Sequence, residues 1–302
     1  MVKSWLKNST AIWYGYNLFS MLKNFPRLLR KNSQFIEPTL SSPTSQLATA
    51  KQFFEFPYLR WCSEIHNRAR LHRKQWEFVY VLQVLYSCGC LKSGNRGLAF
   101  GCGQEPLPAV MVKYGCDIVA TDLEWERAAE QGWVASAQHA NSSRDLPYKG
   151  IVSGPQFNAH ITFKNVDMNF IPDDLAGFDF LWSCCAFEHL GSIEHGLKFV
   201  QNAMKCLKPG GIAVHTTEFN ISSNEDTIES ASLSLFRRQD IERLCYRLTE
   251  EGHTVFPIKW ATGNTYLDEH IDVPPYAISP HIKIKLKDYT CTSIGLIIRK
   301  AS

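Results

Sequence analysis

Residues 97–106, GLAFGCGQEP, place Gly101 and Gly103 directly after a short apolar run. A second apolar run, CDIVATD, closes at Asp122, 21 residues beyond Gly101. Glycine takes backbone angles closed to other residues and lets a ligand approach the main chain. A carboxylate at the end of the second strand stands where it can accept hydrogen bonds from both hydroxyls of a ribose. A pyrophosphate-binding turn would need a third glycine and a free helix N-terminus for the anion. Glu105 and Pro106 stand near that place instead, and a carboxylate there repels phosphate. The pattern suits an adenosine cofactor that lacks phosphates and carries a cationic amino group or a sulfonium, as S-adenosylmethionine does. Glu105 and Pro106 also suit the ordinary first turn of a helix, where a glutamate complements the dipole and a proline is tolerated.

A second set of polar residues lies further along. FEHLGS brings Glu188 and His189 just after an apolar run, and HTTEFN holds Glu218 three residues after His215. Methyl transfer from a sulfonium is an in-line displacement, so alignment supplies much of the acceleration. An alcohol acceptor must also lose its proton, which a positioned base can take. Histidine titrates near neutrality in its ordinary state, which makes His189 the leading candidate base. The competing reading puts the Glu188–His189 pair at a helix start with no part in chemistry. Glu218 reads either as an acceptor contact or as a turn cap.

These residues need elements to position them. From residue 96 onward, apolar runs of strand length appear at 97–101, 116–122, 159–167, 178–183 and 211–218. Helical patterns separate most of them, at 106–114, 124–138 and 193–207, and LKPGG at 207–211 reads as a turn. Such alternation predicts an α/β fold, a Rossmann-like open sheet of seven mostly parallel strands covered on both faces, with ligands beyond the carboxyl ends of the strands. HIKIKLKD and TSIGLIIRK read as an antiparallel hairpin that closes the sheet edge with a C-terminal antiparallel strand. Lys283, Lys285 and Lys287 would then share an exposed strand face, where lysines protect an edge from aggregation or bind phosphate. Before residue 96, Trp76, Val79, Tyr80, Gln83, Val84 and Ser87 recur at helical spacing.

The domain reading is an N-terminal helix with a Ser/Pro-rich linker over 1–50, then one catalytic domain over 51–302. Within it, 51–92 forms a helical cap whose Trp76 and Tyr80 cover the cofactor. Residues 260–280, with Trp260, Asn264, Tyr266 and Tyr276, form an acceptor-side insertion.

Composition bounds the rest. The chain has 302 residues, 45% hydrophobic and 20% charged, with a formal net charge of +3. Its basic residues are scattered, so nucleic acid is not expected as a partner. The ten cysteines are dispersed, several within apolar runs, and read as reduced thiols of a cytoplasmic protein. Cys88 and Cys90 have no second pair at zinc spacing. No run approaches the roughly 20 apolar residues of a membrane span, and no small-residue cleavage site marks a signal peptide. The basic, aromatic-rich segment 1–31 reads as a helix packed on this domain or a partner subunit, with a membrane surface as the alternative setting.

Five segments in order carry a family resemblance: LAFGCGQEP, VATDLE, VDMNFIPD, FDFLWSCCAFEHLGS and MKCLKPGGIAVHTTEF. Over roughly residues 75–300 the chain resembles class I S-adenosylmethionine-dependent methyltransferases, of the bacterial type (type 11-like) that acts on sugars or small molecules. The resemblance implies main-chain contacts to the cofactor at Gly101 and Gly103. It also implies ribose binding by Asp122 with Leu123 beside it, and an adenine site at Asp167 and Met168. Ser183 and Cys184 would lie along the methionine part. Many relatives carry an acidic residue where this chain has Ala99, which makes Glu105 the substitute partner for the cofactor's amino group. Some relatives hold a divalent ion with an ExxEH sequence, but Cys185 takes the first glutamate's place and a hard cation wants oxygen ligands, so no metal is expected. The expected activity is methylation of a hydroxyl on a small molecule or glycan. The rival readings are a nicotinamide oxidoreductase and a non-catalytic cofactor-binding scaffold.

Overall fold

The computed structural model describes residues 10–22 and 37–302, apart from 131, 134, 136 and 137. Five strands form its parallel centre: β2 (Arg96–Phe100), β3 (Asp117–Asp122), β4 (Ile161–Asn165), β5 (Phe178–Cys184) and β6 (Leu207–Asn220). Their spatial order is β4-β3-β2-β5-β6. The chain runs outward from β2 to one side, then returns to build the other side from β5. The order reverses between β2 and β5, and a crevice opens there at the strands' carboxyl ends.

Beyond β6 the long strand β11 (Tyr289–Arg299) runs antiparallel along it, from Ile212↔Arg299 to Asn220↔Cys291. The expected hairpin forms, with β10 (Lys283–Leu286) against the start of β11. It does not close the sheet, because β1 (Ser45–Leu47) pairs with the outer side of β11. Part of the Ser/Pro-rich linker expected within residues 1–50 is therefore strand. Its Gln46 side chain is held by Gln52 and the carbonyl of Thr39. Short strands β7 (Thr254–Val255), β8 (Ile258–Lys259) and β9 (Ile271–Asp272) bring the sheet to eleven strands rather than seven. Lys283 is buried and Lys287 sits in the hairpin turn, so the expected exposed lysine stripe does not form.

Helices cover both faces. α1 (Thr10–Leu22) packs on α2 (Phe56–Glu64), and α2 packs on α3 (Arg73–Ser87). The imidazole of His72 caps α3 by accepting from the amide of Lys74 at 3.1 Å. α4 (Leu107–Lys113), α5 (Trp125–Glu130), α6 (Gly154–His160), α7 (Ile193–Ala203), α8 (Arg238–Glu250) and the short α9 (Tyr266–Glu269) follow. The expected helix over 124–138 stops at Glu130. There the amide of Gly132 bonds the carbonyl of Ala129, and that of Trp133 bonds Ala128, a glycine stop that satisfies the last carbonyls. LKPGG is the start of β6 rather than a turn, because Gly210 and Gly211 exchange backbone hydrogen bonds with Lys300.

One apolar core lies under α3 and α4 and another under α7 and α8, each closed by fully buried side chains such as Trp182 and Phe199. All ten cysteines are free thiols. Among the described residues no helix is long and apolar enough to cross a membrane.

Candidate active site

At the reversal of strand order a cavity of about 400 Å³ opens. Its floor is the turn after β2. Gly101 and Gly103 adopt φ of +56° and +48°, in the left-handed region. A methyl group on Gly101 would lie 2.8 Å from the Ala186 side chain, and one on Gly103 would lie 2.3 Å from the carbonyl oxygen of Gln138. The bare backbone is therefore a steric requirement as well as a conformational one.

Asp122 closes β3 beside this turn. Its Oδ2 accepts from the amides of Gly103 at 3.0 Å and Ala140 at 3.1 Å, and its Oδ1 accepts from Leu123 at 2.8 Å. Burial pushes this carboxyl above the usual carboxylate range, and the amide bonds oppose that rise. Leu123 borders the cavity too, and its carbonyl accepts from His139 Nε2 at 2.7 Å.

Glu105 is 5% exposed and borders the cavity. The indole of Trp182 donates to it at 3.3 Å. Burial pushes its carboxyl up to about 8, against the pull of the Lys74 ammonium. Lys74 reaches the same cavity from α3 and donates to the carbonyl of Cys184 at 2.9 Å. Ala99 lies in the core. Thus the one buried carboxylate facing this part of the cavity, among the described residues, is Glu105. Asp167 and Met168 line the far side. Asp167 accepts from the amide of Asn169 at 2.9 Å and pairs with Arg127 of α5 at 2.6 Å.

Cys184 borders the cavity, but Ser183 does not. Side chains alternate along β5, which turns Ser183 into the sheet interior, where its hydroxyl meets His215 Nδ1 at 2.8 Å. Burial holds His215 down to about 3, so it is a neutral core residue.

The three candidate catalytic residues separate. His189, in the helical turn Phe187–His189, lines the cavity. Its Nδ1 lies 2.7 Å from the carbonyl oxygen of Ser232. A carbonyl only accepts, so Nδ1 carries a proton, and Nε2 is the acceptor of the neutral ring. Trp133 meets the ring edge-on at 4.5 Å. Glu188 turns the other way. It is completely buried, neither oxygen has a hydrogen-bond partner, and burial pushes its carboxyl up. Glu218 on β6 pairs with Arg73. Neither glutamate borders the cavity.

Several residues here escaped the sequence reading. α3 covers the cavity, but through Lys74 and Phe78. Trp76 and Tyr80 point into the core, donating to Gln52 at 2.6 Å and to the carbonyl of Thr44 at 2.7 Å. The signal available was a charged Arg73, Lys74 and Glu77 at one end of an otherwise apolar helix. Glu77 is wholly buried and accepts from Ser293 at 2.5 Å, Cys185 at 3.0 Å, Thr216 at 3.1 Å and Arg73 at 3.3 Å. This network ties α3 to β6, β11 and the residue that follows β5. Arg127, Trp133 and His139 also line the cavity unforeseen.

No residue of 260–280 borders the cavity among those described. Trp260 packs on Phe219 at 5.7 Å and Tyr276 donates to the carbonyl of Lys285 at 2.6 Å, so both are engaged elsewhere. Among the described residues no three His, Cys, Asp or Glu side chains gather as a metal site.

A family model described as a methyltransferase domain matches residues 66–257, more than half of the chain. No curated protein matches it. Among solved structures, a candidate sarcosine dimethylglycine methyltransferase from Galdieria sulphuraria is 19% identical with a TM-score of 0.39. That match covers 61% of this chain and 60% of the other, so this chain spans less than two thirds of that relative. An S-adenosylmethionine-dependent methyltransferase from Clostridium acetobutylicum is 12% identical, covering 75% and 91%, with a TM-score of 0.41. The magnesium protoporphyrin IX methyltransferase of Synechocystis, solved with S-adenosylhomocysteine, is 11% identical, covering 97% and 100%, with a TM-score of 0.43. The matched model spans the glycine turn, Asp122 and the strand-order reversal together, and the side-chain-free cradle at Gly101 and Gly103 suits a nucleoside cofactor. The chain belongs to the methyltransferase domain family.

Proposed function

We propose that this enzyme methylates a hydroxyl group of a small molecule or glycan, with His189 as the base. The observation that carries this reading is that His189 lines the cavity while its Nδ1 is bonded to the Ser232 carbonyl, so that Nε2 is the nitrogen of the neutral ring left to accept a proton. An alcohol is a poor nucleophile until its proton leaves, and Nε2 is placed to receive it. The bound cofactor supplies an electrophilic methyl group on a sulfonium.

The chain's own residues would hold that cofactor as follows. The main chain at Gly101 and Gly103 lies against the nucleoside, and the Asp122 carboxylate, with lone pairs to spare, accepts from the ribose. Asp167 and Met168 flank the adenine, with Arg127 beside them. Glu105, once it gives up its proton, and Lys74, both open to one cavity, complement the amino group and carboxylate of the methionine end. Cys184 lies between them. The test is transfer of a labelled methyl group from S-adenosylmethionine to a panel of phenols, sugars, amines and carbon acids. Hydroxyl acceptors alone should be labelled, in a His189-dependent manner. Labelling of amines that His189→Ala leaves intact would overturn the reading.

A further inference from the structure

The helix α1 buries Met21 and packs Tyr14 on the core, yet polar side chains share its inner face. Its inner face carries Asn17 and Ser20, both buried. Asn17 donates to Ser63 at 3.3 Å and to the carbonyl of Asn67 at 3.2 Å, and it accepts from the amide of Ala69 at 2.7 Å. Ser20 accepts from Arg68 at 3.1 Å. Its outer face carries Ile12, Gly15, Tyr16, Leu18 and Phe19, and Phe19 is 79% exposed. These positions recur at three- and four-residue spacing, so they form one stripe without a charge. Rolling the helix to bury the stripe would strip Asn17 and Ser20 of their partners, at the cost of leaving buried polar groups unpaired. The outward direction of the apolar face is therefore held by hydrogen bonds.

We propose that this face seats the enzyme on an anionic lipid surface. Charge selects that occupant. Lys3, Lys7, Lys23, Arg27, Arg30 and Lys31 flank the helix in sequence, and no Asp or Glu precedes Glu37. Arg68 is exposed beside the stripe, with its guanidinium 5.5 Å from the Tyr16 ring centre. A short apolar face and a basic surround are the two signals that together give reversible attachment to a negatively charged bilayer surface, with aromatic rings at the headgroup level. The helix lies on the surface and does not span it, since thirteen residues fall short of the roughly 20 a span requires.

The experiment is co-sedimentation of the full chain with vesicles of phosphatidylcholine alone and of phosphatidylcholine mixed with phosphatidylglycerol. The expected result is binding to the anionic vesicles only, weakened by salt and by about tenfold or more in the Ile12→Ser/Phe19→Ser variant. Because both side chains are exposed, that variant should melt with the wild type and retain its binding of S-adenosylhomocysteine. Equal binding to both vesicle types, or unchanged binding by the variant, overturns the proposal. So does a dimer in solution that the variant converts to monomer, which would place a second copy on this face.

Discussion

The Asp122 carboxylate accepts a hydrogen bond from the Gly103 amide at 3.0 Å, so the residue that ends β3 also fixes the turn that follows β2. One side chain thus shapes the floor of the cavity and presents an anion to it. Replacing it should cost both functions. Asp122→Ala is expected to lose about 1–3 kcal/mol of stability, because the buried amides of Gly103 and Ala140 lose their acceptor. The measurement is urea denaturation, paired with calorimetric titration of S-adenosylhomocysteine, where the affinity should fall at least about tenfold. A variant that binds as tightly as the wild type removes Asp122 from the cofactor site.

Glu105 gives a pH-dependent prediction. Burial raises its carboxyl to about 8, far above its value in the unfolded chain. The folded state therefore holds a proton that the unfolded state releases. Its contribution to stability is fully present in acid and is lost as pH rises towards 8. Glu105→Gln should flatten that loss in thermal melts of the free enzyme. If Glu105 meets the cofactor's ammonium, binding must drive off its proton near neutrality. Calorimetry in buffers of different ionisation enthalpy should then detect proton release by the wild type and none by Glu105→Gln.

Removing the imidazole of His189 should slow turnover by about 10²–10⁴-fold. The affinity for S-adenosylhomocysteine should change little, because the ring is proposed to act on the acceptor. Equal losses in cofactor affinity and rate would instead assign His189 to the cofactor.

Glu77 should prove structural. It is buried with four partners, from two strands, the residue after a third and its own helix. Glu77→Ala leaves Arg73 with fewer counter-charges in the interior and should cost about 3–5 kcal/mol. A chemical denaturation midpoint close to the wild type's would contradict this.

The parallel centre of the fold could be read in advance because its strands are continuous apolar runs divided by helical periods, and both faces are buried. The glycine turn and Asp122 were legible for a similar reason, since their relation is local to one strand–helix–strand unit. β1 was not legible. Three residues of SPTSQLAT carry no strand signal of their own, and the free edge of β11 recruits them. The extra turn residues in KPGG misled in the opposite sense, because backbone partners from Lys300 hold them in β6.

Sequence alone determined the fold class, the glycine turn beside Asp122 and the absence of a third glycine, because each depends on residue type at short spacing. Only the tertiary structure decided which polar residues share the cavity. Neighbours in sequence part company there: His189 faces in and Glu188 is buried away, while Cys184 faces in and Ser183 does not. The pitch of one turn and the alternation of one strand set those directions. Lys74 and Glu105, distant in sequence, meet at one cavity because α3 packs across the ends of β5 and β6.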